Sequence, residues 1–133
     1  MDFYKRTGDW KRVANLIDRK IRLTPPTSKS SLLGGPFGDL WFLDENAWNI
    51  FLHCNDKAVL KRALKWIDTG ILLWGSPGNF QFIDTKANIL YKLGKQATAI
   101  QYEEEAYGLT KNDRGIASTL NKMKQGVPTW DDQ

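Results

Sequence analysis

Residues 42 to 107 say nearly the same thing twice. Phe42-Leu43-Asp44-Glu45-Asn46-Ala47-Trp48-Asn49-Ile50-Phe51 aligns with Phe82-Ile83-Asp84-Thr85-Lys86-Ala87-Asn88-Ile89-Leu90-Tyr91 at an offset of 40. Aromatic, aliphatic, Asp, Ala, aliphatic and aromatic positions stay in step. Further along, Ala63, Leu64, Trp66, Gly70, Ile71 and Leu73 map onto Ala99, Ile100, Tyr102, Ala106, Tyr107 and Leu109 at an offset of 36. A period of this size means stacked helical hairpins, each too small to bury its apolar face alone. The first helical stretch joins the same register: adding 86 carries Gly8 to Gly94, Val13 to Ala99, Leu16 to Tyr102, Ile21 to Tyr107 and Leu23 to Leu109.

The 133 residues allow one domain with one core. A hydrophobic share of 41% with 26% charged residues belongs to a folded chain and not to a disordered one. No apolar run approaches the roughly 20 residues that a membrane helix needs, so no membrane span is expected. The single cysteine, Cys54, has no partner within the chain, and the fold must stand on packing. The net charge of +4 is concentrated in residues 1–30, which carry +5 against −1 for the remainder. There, Trp10, Val13, Ile17 and Ile21 form an apolar stripe, and Lys11, Arg12, Asp18, Arg19 and Arg22 take the opposite side as a solvated face. No aromatic residues interleave with these charges to stack bases, so no nucleic-acid partner is expected.

Helices are expected at about 40–53, 57–74, 80–93, 96–110 and 113–124. The chain then divides into a partial first unit (1–23), a loop (24–39), a second unit (40–75), a third unit (80–110) and a C-terminal capping helix (112–125). Only Asp2 to Arg6 stand where the first unit's leading helix belongs, so this is either a segment of a longer protein or a native short first helix. The loop carries Thr24-Pro25-Pro26-Thr27-Ser28 and Gly34-Gly35-Pro36-Phe37-Gly38 and exceeds ordinary helix connections. Gly75-Ser76-Pro77-Gly78-Asn79 breaks the chain between hairpins, and Gly94 turns it within the last one. Asp44 and Asp84 are read as helix-start carboxylates and Asn112 as an N-cap. The 57–74 helix has two apolar rows and must be covered on several sides, whereas the last has a single stripe, Ile116, Leu120 and Met123.

Ala87, Gly94, Ala99 and Ala106, with Tyr91 before the glycine and Ile100 and Tyr102 after it, resemble a tetratricopeptide repeat of divergent kind. Lys86 and Ile83 depart from that pattern, as does Gly70 in place of an alanine. A narrower similarity, from Leu40 to about Lys124, is to the helical C-terminal region of some Bacteroidetes thioredoxin-like proteins. It implies an accessory module beside a redox domain, in the cell envelope or periplasm. No Cys-x-x-Cys is present, so redox chemistry does not carry over.

His53 and Cys54 are the only imidazole and thiol, but neighbours on a helix point about 100° apart and do not face one another. Glu103-Glu104-Glu105 is read as a solvated face. Gly34-Gly35-Pro36-Phe37-Gly38 lacks the Lys-Ser/Thr of a phosphate loop. Of six tryptophans, Trp10, Trp48, Trp66 and Trp74 fall on core stripes, leaving Trp41 and Trp130 as interface candidates.

The expected fold is therefore all-α: stacked antiparallel helical hairpins, a TPR-like right-handed α-solenoid closed by a capping helix. The expected function is non-catalytic protein or peptide binding, with no catalytic residues, no metal and no cofactor. The first helix of each unit should line the concave side, so Glu45, Trp48, Asn49, Asp84, Asn88, Tyr91 and Lys92 are the candidate groove residues. The alternatives are a structural accessory on a thioredoxin-like domain, a self-associating module forming a homodimer, or an enzyme using the 24–39 loop.

Overall fold

Asp56 shows how local chemistry sets the helix boundaries. Its carboxylate accepts the backbone N–H groups of Ala58 at 2.8 Å and Val59 at 3.4 Å, satisfying donors that the first turn leaves open. The helix it starts runs to Trp74 and closes at Gly75, whose φ of 83° is left-handed and costs glycine little. The computed structural model describes residues 2–23, 25–26, 38–111 and 113–130, and these hold seven helices. They are α1 (Asp2–Thr7), α2 (Trp10–Leu23), α3 (Gly38–His53), α4 (Lys57–Trp74), α5 (Phe80–Lys92), α6 (Gln96–Thr110) and α7 (Arg114–Gln125). The fold is all-helical, with no strand among the described residues. Most of the expected loop at 24–39, and Asn112, lie outside the described residues.

Each helix packs on its neighbour in sequence from α3 onward, and α5 also rests on α3. At the N-terminal end α1 packs on α2, and α2 packs on α4. Trp10, Val13, Ala14 and Ile17 of α2 meet Val59, Leu60, Ala63, Trp66 and Ile67 of α4, with Phe51 of α3 and Phe82 of α5, in the largest apolar cluster. Both expected rows of α4 are thus put to use. Ala87, Ala99 and Ala106 are wholly buried, where small side chains let α5 and α6 come close; Met123 of α7 clusters with Ala87 and Ala99, and Ile116 of α7 with Ala106.

Three details depart from the sequence reading. Asp18 is not part of a solvated face: its carboxylate accepts from Nε and Nη2 of Arg62 and from the Trp66 indole at 2.8 Å, tying α2 to α4. Gly70, which replaces a repeat alanine, is a packing requirement, because a Cβ there would lie 2.5 Å from the Phe82 ring. The cap of α7 is Asp113, which accepts the N–H of Ile116 at 3.0 Å. At its other end Gly126, with φ 74°, closes α7 through its own N–H to Met123 O and the N–H of Val127 to Lys122 O.

Candidate functional site

Alternate helices α3, α5 and α7 contribute to one side of the molecule. Two adjoining hollows open there. One, of about 290 Å³, is lined by Trp48 of α3, Gln81 and Asp84 of α5, the cap residue Asp113, and Ile116 and Thr119 of α7, among others. The second, of about 240 Å³, shares Trp48, Gln81 and Asp84 and adds Asp44 and Thr85. The half-buried Trp48 ring is a wall of both, and its near face rests on Phe51 with centroids 4.9 Å apart.

The carboxyl groups here are not simple surface charges. Asp44 and Asp84 lie in the second turn of their helices or beyond, too far in for a capping role. Asp44 accepts the Thr85 hydroxyl at 2.7 Å. Burial pushes its pKa up to about 6; the Thr85 hydrogen bond opposes the rise, and the charges of Asp84 and Glu45 add to it.

Behind Asp84 lies the largest departure from the sequence reading. Glu104 and Glu105 are exposed as expected, but Glu103 is 0% exposed. Neither of its carboxyl oxygens meets an N–H or O–H donor among the described residues. The group it faces is the carboxyl of Asp84, with the charge of Asp113, the cap of α7, acting on it as well. Burial first, then the contact with Asp84, drives the Glu103 pKa far upward, so Glu103 holds its proton at neutral pH. Asp84 is raised too, chiefly by burial, while the Asn88 amide donates to its carboxylate at 3.1 Å and opposes the rise.

A signal for Glu103 was present in the sequence. It lies four residues after Ala99 and three before Ala106, on the same buried face. The 36-residue register places it over Ile67 and the 86-residue register over Ile17, both 0% exposed. A carboxyl occupies the third unit's version of a core isoleucine.

The other sequence-predicted residues fall into separate places. Asn88 is buried and donates to the Asp84 carbonyl at 2.9 Å, so it supports the site from behind. Glu45 is exposed beside Asp44, while Asn49 lines a different hollow, of about 510 Å³, near Lys5, Trp10 and His53. Tyr91 and Lys92 serve the chain's own end. The Tyr91 hydroxyl donates to Val127 O at 2.7 Å, and the Lys92 ammonium donates to Phe51 O at 2.6 Å and sits 5.4 Å from the Trp130 ring centre. Trp130 meets the rings of Phe51 and Tyr91 edge to face. Trp130 is therefore half-buried against its own chain, whereas Trp41 remains 42% exposed and leans on Trp74 and Phe82.

Cys54 and His53 do not form a working pair. The thiol is buried, which raises its pKa, and the exposed imidazole stacks on Trp10 with centroids 6.0 Å apart. Among the described residues, no three His, Cys, Asp or Glu side chains converge as a metal site requires. No described helix is long and apolar enough to cross a membrane. No protein-family model matches this chain, and no curated protein or solved structure matches it either.

Proposed function

We propose that this chain is a non-catalytic protein- or peptide-binding module, built of stacked antiparallel hairpins of the TPR-like kind with α7 as the cap. The reading rests on one observation: α3, α5 and α7, the leading helix of each hairpin and the cap, meet around one hollow beside Trp48 and Asp84, and α3 and α5 line a second that adjoins it. Stacked hairpins bind partners along the surface that their leading helices make in common. An aromatic wall with polar groups beside it suits an extended segment, gripping one side chain while leaving its backbone accessible.

A photo-crosslinking amino acid tests this. Placed at Gln81, which is exposed at the rim of both hollows, it should capture members of a random peptide pool. Placed at Lys65, exposed on α4, it should capture far fewer. Equal capture at the two sites would overturn the reading.

A second reading has its own support. Trp41 and Leu72 are 42% and 80% exposed, large apolar groups on α3 and α4. Exposed apolar side chains of this size suit an accessory module packed on a neighbouring domain, of thioredoxin-like or other kind, or on a second copy of itself. Replacing both by serine would abolish that association in sedimentation experiments and leave peptide capture at Gln81 unchanged.

A further inference from the structure

We infer that residues 127–130 act as a ligand carried by the chain itself: they fill a seat at the ends of α3 and α5 that an extended partner segment, with an apolar residue followed by an aromatic one, takes by displacing them. This seat goes beyond the surface at Gln81, from which Tyr91 is removed by about 15 Å along the axis of α5.

The seat is made by the repeat. Phe51 and Tyr91 hold the same position in the two segments aligned at an offset of 40, one near the end of α3 and one near the end of α5. Trp130 meets both rings edge to face, with centroids 6.1 Å apart in each case. The Lys92 ammonium lies 5.7 Å from the Phe51 ring centre and 5.4 Å from that of Trp130, so one cation serves both rings. The Tyr91 hydroxyl donates to the Val127 carbonyl at 2.7 Å. Rings that grip a ring, beside a side-chain donor that holds a backbone carbonyl, are the means by which a groove reads an extended peptide.

The occupant is peptide-like as well. Residues 127–130 follow the last turn of α7 without helical structure, and besides the Tyr91 bond they are tied by the Val127 N–H, which donates to Lys122 O at 3.1 Å. Val127 and Pro128 are exposed. Thr129 is only 9% exposed, yet its hydroxyl has no partner among the described residues. A buried hydroxyl without a partner is unfavourable, so the tail fits its own seat imperfectly, and a segment with valine at that place fits better. Gly126, left-handed at φ 74°, is the joint on which the tail turns back toward α5.

Because the tail competes from within the same chain, its effective concentration lowers the apparent affinity of any partner. Changes that weaken the tail therefore strengthen the partner, and changes that improve the tail weaken it. Packing alone gives no such reciprocity.

The test uses the full chain and fluorescence anisotropy of the labelled peptides Gly-Val-Pro-Val-Trp, Gly-Val-Pro-Thr-Trp and Gly-Val-Pro-Val-Ala, with circular dichroism showing that each variant is folded. Trp130→Ala should bind Gly-Val-Pro-Val-Trp about tenfold more tightly than wild type does, and Gly126→Ala, which changes no residue of seat or tail, about threefold more tightly. Thr129→Val, which improves the tail, should weaken binding about threefold. On Trp130→Ala the valine peptide should bind more tightly than the threonine peptide, the alanine peptide about tenfold more weakly, and addition of Tyr91→Leu should remove the gain. If Trp130→Ala does not fold, Gly126→Ala and Thr129→Val decide the matter by their opposite signs. Equal binding by wild type and the release variants, or equal binding of the tryptophan and alanine peptides, would overturn the inference. Wild-type dimers in sedimentation that vanish in Trp130→Ala, without peptide binding, would overturn the partner segment and assign the seat to the tail of a second copy. Capture at Gln81 stands or falls separately from all of these results.

Discussion

Glu103→Gln is the substitution with the most calculable consequence. In the folded chain Glu103 keeps its proton at neutral pH, whereas in the unfolded chain it titrates near the ordinary value of 4.5. The folded state thus binds one proton more, and stability falls as pH rises above 4.5. The slope for one proton is about 1.4 kcal/mol per pH unit, which accumulates to about 3 kcal/mol at pH 7. Glutamine has nearly the shape of the protonated acid, never ionises, and can donate its amide to Asp84. The variant should therefore equal wild type near pH 4.5 and exceed it by about 2–3 kcal/mol at pH 7. Asp44 titrates in both proteins and largely cancels from the difference, whereas Asp84 titrates together with Glu103, so the difference between the two curves reports the pair. Urea unfolding followed by circular dichroism at pH 4.5, 6, 7 and 8 measures it. Curves that stay parallel across this range, or a variant less stable than wild type at pH 7, would refute a protonated Glu103.

Gly70→Ala should destabilise by about 1–3 kcal/mol despite alanine's better helix propensity, because the new Cβ meets the Phe82 ring; urea midpoints decide it. Asp56→Ala removes the cap of α4 and should cost about 1 kcal/mol in the same assay, with asparagine restoring most of it. Cys54→Ala should leave peptide capture at Gln81 unchanged, as befits a buried thiol that takes no part in the groove. Trp130→Ala should lower thermal stability by a few degrees, since its ring covers Phe51 and Tyr91, and should leave peptide capture at Gln81 intact.

The helices were legible because their apolar spacing is regular: the stripes Val13 to Ile17 and Ile116 to Met123 are buried where the period places them. Of the candidate site, Trp48 and Asp84 were expected on one face, and both line the same hollow. Glu103 was missed because three consecutive glutamates look like one solvated block, although successive helical residues point in different directions. Its place over Ile17 and Ile67 carried the information. The end of Tyr91 and Lys92 was not legible in any local pattern. It depends on the left-handed turn at Gly126 bringing Val127 to Trp130 back across α5, a contact between residues far apart in the chain.

The most direct test of the binding surface is a map of amide and indole shifts on titration with a peptide captured at Gln81. A groove shared by α3, α5 and α7 predicts that the largest changes fall at Trp48, Gln81, Asp84 and Thr119, residues of three different helices around one hollow. Changes confined to Trp41, Leu72 and their neighbours would contradict it.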